Sequence, residues 1–227
     1  MSERKTTARW TGVFYLGLAV AGFVGFLFVR SEIFVTDDAG ATLANLVDRS
    51  SLARLGIAAD LTVVLTQALA AVWFFKLFRD SDRVAAGSIA AFGLVNAAAI
   101  LAATAFSATA LVVAGDASLA PGGDQAATAQ VLYRLSEALW DVGGLFFGLW
   151  LIPMGYVALK SKLMPGALGW VLMVGGTGYV INTYVAAVAP DAPSFIEEAL
   201  VGLATIGEFW MIGYLLVVGV RAITPAD

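Results

Sequence analysis

The stretch YRLSEALWDVGGLFFGLWLIPMGYVA, Tyr133–Ala158, begins with three charged residues and continues as an almost wholly apolar run. It exceeds the about 20 residues that a helix needs to cross a hydrocarbon core of ~30 Å. At about 100° per residue, Arg134, Glu137 and Asp141 fall on one side of that helix, and Arg134 can neutralise Glu137 one turn away. A charge in a bilayer is costly unless it faces protein or water. We therefore predict a membrane-crossing helix whose charged side faces the protein interior.

The composition extends this prediction to the whole chain. Of the 227 residues, 60% are hydrophobic and 13% are charged, and the mean hydropathy is +0.86. A soluble domain carries about 25% charged residues. Several apolar blocks also reach membrane-spanning length. The sequence therefore predicts an all-α, polytopic membrane protein.

The chain contains no cysteine and no histidine. This absence excludes disulfides, thiolate nucleophiles, histidine-dependent triads and the usual zinc sites. The glycine-rich stretch GGTGYVIN, Gly175–Asn182, has neither the preceding strand nor the following Lys-Ser/Thr of a phosphate loop. We predict no metal and no cofactor. The net charge is −4 and the basic residues are scattered, so we also predict no nucleic-acid partner.

The apolar blocks predict six transmembrane spans. We place them at residues 10–29, 52–78, 85–113, 132–158, 167–189 and 196–220, in a single membrane domain that covers residues 1–227. The first block could be a signal peptide, because basic residues precede it. Its apolar run continues to Val29, which is too long for a typical signal peptide, so we favour a retained helix.

The basic residues predict the orientation, because cytoplasmic flanks are enriched in lysine and arginine. One side of the predicted spans carries Arg4, Lys5, Arg9, Lys76, Arg79, Arg83, Lys160, Lys162 and Arg221. The opposite connections are rich in Asp and Glu. We therefore expect a multi-pass protein of the cell (cytoplasmic) membrane with both termini in the cytoplasm.

The first outer connection, residues 30–51, carries a helix signal. Thr42–Val47 has the pattern of a short amphipathic helix, and Asp37 or Asp38 stands where an N-cap belongs. Two interpretations stay open: an ordinary connector, which we favour, and a short helix that lies on the membrane surface.

Polar residues also occur inside other predicted spans. The second span contains Arg54 and Asp60, and Asn182 of the fifth falls at a comparable depth. The sixth span contains Glu208, about 19 Å from its outer end at 1.5 Å per residue. We expect one polar cavity, open to the outer side, in which Asp141 and Glu208 approach each other or share water. Its candidate residues are Arg54, Asp60, Arg134, Glu137, Asp141, Asn182 and Glu208.

An architectural interpretation of the same residues stays open. Arg54–Asp60 and Arg134 with Glu137 or Asp141 can be ion pairs that set the register between helices. The two arginines can also extend to the outer headgroups along their aliphatic stems.

Several segments together resemble a bacterial membrane family known as domain of unknown function 4386. They are FVRSEIFV, DDAGATLANL, RLGIAADL, LFFGLWLIPMGYVALKSKLMPGALGWVLMVGGTGYVIN and GEFWMIGYLLVVGV. The resemblance covers nearly the whole chain and implies a six-helix membrane protein of undetermined activity. The positions that match the family pattern are Arg30, Ser31, Asp38, Asn45, Arg54, Asp60, Gly155, Tyr156, Gly169, Gly207 and Glu208.

Three classes of function remain open. The first, which we favour, is binding or transport of a small solute or cation in the charged cavity. The second is a non-catalytic membrane subunit or chaperone that packs on a partner protein. The third is an intramembrane enzyme that modifies lipids with its carboxylates, although no nucleophile motif supports it, so the balance is against an enzyme. Membrane lipids are the expected surroundings, and a homo-oligomer or a membrane partner fits the first two classes.

Overall fold

The computed structural model describes residues 3–189 and 191–221. Of the residues in these ranges, 89% are helical, and none lies in a strand. Six helices are long and apolar enough to cross a membrane: α1 (Glu3–Ile33), α3 (Ser50–Phe78), α4 (Arg83–Gly115), α5 (Gln125–Ser161), α6 (Gly166–Val188) and α7 (Ser194–Val217). A shorter helix, α2 (Ala39–Asp48), lies between α1 and α3.

The six predicted spans are therefore confirmed. Helices α1 and α5 begin earlier than predicted, at Glu3 and Gln125. Their first turns are polar, and hydropathy alone does not extend a span into residues that are good helix formers but hydrophilic. The orientation of the termini remains a prediction.

Helix α2 lies in the first connection, where the sequence left a short amphipathic helix open as the alternative to an ordinary connector. The side chain of Asp38 accepts a hydrogen bond from the backbone N–H of Ala41 at 2.8 Å, which makes Asp38 the N-cap. Thr42 and Leu46, one turn apart on α2, are fully buried. Its position on a membrane surface remains a prediction.

The helices contribute to two compact units. The terminal unit comprises the described residues of Met1–Leu16, Thr66–Asn96 and Val142–Asp227, and the central unit comprises Gly17–Leu65 and Ala97–Asp141. The single membrane domain, residues 1–227, remains a prediction.

The core of the central unit joins α2 to parts of α1, α3, α4 and α5. The rings of Phe34 and Tyr133 stack with centroids 5.3 Å apart. Leu46 of α2 packs into the same cluster as Ile33 and Ala110, and all three side chains are fully buried. These buried contacts with the neighbouring helices hold α2 by tertiary packing.

Close helix packing shapes the terminal unit. A Cβ on Gly175 of α6 would lie 2.5 Å from the Cα of Ala204 on α7, so only glycine allows this approach. A Cβ on Gly148 of α5 would lie 2.5 Å from the carbonyl oxygen of Gly176. Because lipid tails are as apolar as the helices, no hydrophobic force drives helices together in a membrane. Small residues at such crossings let the backbones approach and pack closely instead.

Candidate functional site

A small cavity in the central unit brings together residues of four helices. It is lined by Gly25 and Arg30 of α1, Gly56 and Asp60 of α3, Ser107 of α4 and Tyr133 of α5, among others. Its volume is about 20 Å³, enough for one water molecule. We call it the Arg30–Asp60 cavity.

The wall that α1 contributes has an unusual backbone. Residues Phe23–Val29 form a π-helical stretch, and the backbone N–H of Arg30 bonds to the carbonyl of Gly25. Such stretches are rare and occur often at functional sites. Here the stretch carries Gly25 and Val29 of the cavity wall and ends immediately before Arg30.

Glycine is required at position 25 for the carboxylate to fit. A Cβ on Gly25 would lie 2.6 Å from Oδ1 of Asp60 and 3.2 Å from the Cβ of Ala59. The side chain of Asp60 therefore occupies space that any other residue at position 25 would fill.

Arg30 faces Asp60 across the cavity with opposite charge. Its Nη2 donates a hydrogen bond to Oγ of Ser136 at 2.9 Å, and Ser136 lies 2.9 Å from Oγ of Ser107. The guanidinium also lies over the ring of Phe26, 5.4 Å from its centroid. The charges of Arg30 and Asp60 attract each other, which offsets part of the cost of removing both from water.

One hydrogen-bond donor at this cavity is unpaired. The buried Nη1 of Arg30 finds no hydrogen-bond acceptor among the described residues. The carboxylate of Asp60, on the same cavity, can only accept while ionised. A group that accepts from Arg30 and donates to Asp60 would satisfy both, and a hydroxyl or a water molecule has both capacities.

The predicted residues occupy different positions relative to this cavity. Asp60 is 5% exposed and lines it. Arg54 is exposed and is not one of the lining residues. The stretch that begins at Tyr133 contributes Tyr133 itself to the wall, and through Ser136 it holds Arg30.

Arg134 and Glu137 form the ion pair that their spacing predicts, with Nη1 and Oε2 3.2 Å apart. Arg134 also donates to the carbonyl of Thr36 at 2.6 Å and lies 3.5 Å from the carboxylate of Asp37. Its side chain is 43% exposed, and Asp141 is exposed as well. Arg134 thus contacts the α1–α2 connection. The fully buried polar residue of this stretch is Ser136.

Glu208 belongs to the terminal unit and has a separate partner there. The hydroxyl of Tyr15 donates to Oε1 of Glu208 at 2.6 Å. The ring of Tyr15 meets Phe74 and Trp150 edge to face, with centroids 5.6 and 5.3 Å away. Asn182, in the same unit, is half-buried. The approach of Asp141 to Glu208 remains a prediction.

The terminal unit also encloses an amide pair. Nδ2 of Asn96 donates to Oε1 of Gln67 at 3.0 Å, and both side chains are buried. Oδ1 of Asn96 and Nε2 of Gln67 have no partner within the described ranges. Two unpaired amide atoms side by side are the setting in which a buried water is found.

Sequence reasoning missed Arg30, Ser136 and Tyr15 as site residues. Arg30 is assigned to a connection when spans are drawn by hydropathy, and its place in the family pattern is the signal that could have identified it. No local sequence pattern identifies Tyr15 as a site residue, because its contact with Glu208 joins residues 193 positions apart. Across the described residues, no group of three or more carboxylates is arranged to hold a metal ion.

The fold defines the class of this molecule as a helical, multi-pass membrane protein. The chain belongs to the family described as Domain of unknown function (DUF4386), whose model matches residues 10–219. The family membership that the sequence segments indicated is thereby confirmed.

One curated relative is an uncharacterised protein of Archaeoglobus fulgidus. It is 34% identical over 56 residues, which is 22% of this chain and 35% of the relative. The match therefore spans about a third of that protein. No solved structure matches the chain.

Proposed function

We propose that this protein binds a small polar solute in the Arg30–Asp60 cavity, within the membrane, as the first step of its transport or sensing. The observation that carries the proposal is a carboxylate and an incompletely paired guanidinium on one cavity. Ionisable residues in membrane spans are costly and mark binding sites or solute paths more often than inert packing.

The chemistry of the cavity favours a hydroxyl-bearing solute over a bare cation. A cation would satisfy Asp60 but would leave Nη1 of Arg30 unpaired and would be repelled by its charge. A hydroxyl group can accept from Arg30 and donate to Asp60. Small polyols are therefore the first ligands to test, with sodium as the cationic alternative.

The cavity is too small for a whole solute, so binding requires α1 and α3 to separate locally. The π-helical stretch Phe23–Val29 is the element suited to this change, since converting it to α-helix would shift Arg30 relative to Gly25. A change of this kind would move the binding group without unfolding the helix.

We further propose that the protein resides in the cytoplasmic membrane with both termini in the cytoplasm. The distribution of lysine and arginine supports this orientation. A homo-oligomer or a membrane partner fits the same proposal.

Tryptophan fluorescence tests the proposal, because Trp140 lies 4.9 Å from Phe26 of the π-helical stretch, centroid to centroid. We expect glycerol to change the emission of the wild type in lipid nanodiscs, and sodium chloride to change it little. The signal should vanish in Trp140→Phe and in Asp60→Asn. Asp48→Asn, an exposed aspartate of the same unit, is the matched control and should respond as the wild type does.

The outcomes separate the three classes of function. A response to sodium but not glycerol would replace the solute by a cation. No response to either probe in a folded wild type would overturn the binding proposal and favour the partner-protein class. Turnover of membrane lipid that is lost in Asp60→Asn would support the enzyme class.

A further inference from the structure

We propose that a second site, in the terminal unit, binds one anionic phospholipid. The site is a groove of about 460 Å³, which we call the α4–α5 groove. Val84, Ser88 and Phe92 of α4 form one wall, and Ile152, Pro153 and Tyr156 of α5 form the other. Its volume lies in the range of about 300–1,000 Å³ that ligand sites usually have.

The groove fits a hydrocarbon chain. Its walls are mainly apolar, and they belong to helices that span the membrane. Val84 at its edge is 80% exposed, so the groove is open to the surroundings of those helices. The acyl chains of the bilayer are the apolar groups that reach such a surface.

Pro153 lies inside α5 at the groove. Proline has no N–H, so the carbonyl of Leu149 lacks its helical hydrogen bond, and the ring crowds that carbonyl. Leu149 and Pro153 both line the groove. Helix α5 is thereby perturbed at the point where the groove lies.

Basic residues at one end of the groove select the headgroup. Nζ of Lys160 lies 2.7 Å from Oδ2 of Asp82 and 5.6 Å from the ring centroid of Tyr156, and Asp82 and Tyr156 both line the groove. Arg83 follows Asp82 directly, and Lys162 follows Lys160 by two positions.

The excess charge at this end is positive. Arg83 and Lys162 are exposed and form no ion pair with any residue that the structure describes. Lys160, which contacts Asp82, and its chain neighbours Arg83 and Lys162 thus give three basic residues to the one carboxylate that lines the groove. A lipid headgroup with net negative charge complements this excess of positive charge, whereas a zwitterionic headgroup does not.

Native mass spectrometry of the detergent-purified full chain tests the proposal, with phosphatidylglycerol and phosphatidylcholine added at equal concentration. We expect one phosphatidylglycerol to be retained in preference to phosphatidylcholine. Lys162→Gln should weaken its retention about fivefold, the usual effect of one basic residue at an anionic surface. Lys5→Gln, a half-buried lysine outside the groove, should leave retention unchanged.

A filling variant tests the apolar part separately. Ser88→Phe should abolish retention because the larger side chain occupies the groove. Ser31→Phe is its matched control, since Oγ of each serine bonds the carbonyl four residues earlier in its helix. If Ser88→Phe does not fold by circular dichroism, Val84→Trp fills the groove from its exposed edge.

Equal retention of the two lipids would overturn the role of the basic residues. Unchanged retention in folded Ser88→Phe or Val84→Trp would overturn the groove as the site. Displacement of the bound lipid by excess inorganic phosphate would show that the headgroup alone is recognised, which would also contradict the proposal.

Discussion

Asp60 is packed against Gly25, with Oδ1 only 2.6 Å from the place where a Cβ on residue 25 would lie. The contact joins the carboxylate of α3 to the π-helical stretch of α1. Backbone geometry and charge are therefore coupled at the Arg30–Asp60 cavity.

Gly25→Ala should displace the carboxylate of Asp60 and destabilise the protein by about 1–3 kcal/mol, the usual cost of overpacking. Thermal unfolding in nanodiscs measures the effect. Gly22→Ala is the matched control, because its Cβ would be 4.0 Å from the nearest atom, on Val63. That variant should be neutral or slightly stabilising, and equal losses in the two variants would contradict the prediction.

Arg30→Gln should destabilise the protein by about 3–5 kcal/mol, because it leaves the carboxylate of Asp60 buried without its opposite charge. The double variant Arg30→Gln/Asp60→Asn should recover much of this loss. A double-mutant cycle on unfolding free energies checks both statements. Additive effects would show that the two charges do not interact energetically.

Tyr15→Phe should cost about 0.5–1.5 kcal/mol, the usual net worth of a hydrogen bond, because it removes the donor to Glu208. Glu208→Gln should lose less stability than Tyr15→Phe, since the amide oxygen can still accept from Tyr15. Tyr184→Phe, at a position that is 62% exposed, is the control and should be neutral. Thermal unfolding of the three variants measures these changes in stability.

The stability of the Asp82 turn should depend on pH. The backbone N–H of Ala85 and the ammonium of Lys160 both bond the carboxylate and hold its pKa below the usual value. A depressed pKa means that the stabilisation is present above the unfolded value, about 3.9, and is lost as the pH falls through the folded value.

Unfolding of the wild type and Asp82→Asn, compared from about pH 6 downward, checks this dependence. The advantage of the wild type should shrink below about pH 4. Asp48→Asn should show no such change relative to the wild type. An advantage that stays constant with pH would mean that the carboxylate contributes through packing and not through its charge.

The candidate residues were predictable from the sequence to different degrees. Asp60 was identified because a lone carboxylate in an apolar run is costly wherever it lies. The Arg134–Glu137 pair followed from helical spacing, which is local. Arg54 was expected to be the charged partner of Asp60, but Arg30 lines the cavity with Asp60 instead. Helical spacing says nothing about which neighbouring helix supplies a charge.

By itself, the sequence determined the class of protein and the six spans, and it narrowed the cap of α2 to Asp37 or Asp38. These follow from hydrophobic run length and from contacts within a few residues, and the bilayer forces every backbone polar group in a span to be satisfied within its helix. Only the tertiary structure decided that Arg30 faces Asp60, that Tyr15 bonds Glu208, and that α1 is π-helical over Phe23–Val29. Those features depend on contacts between residues far apart in the chain, whose energies are set by packing and not by composition.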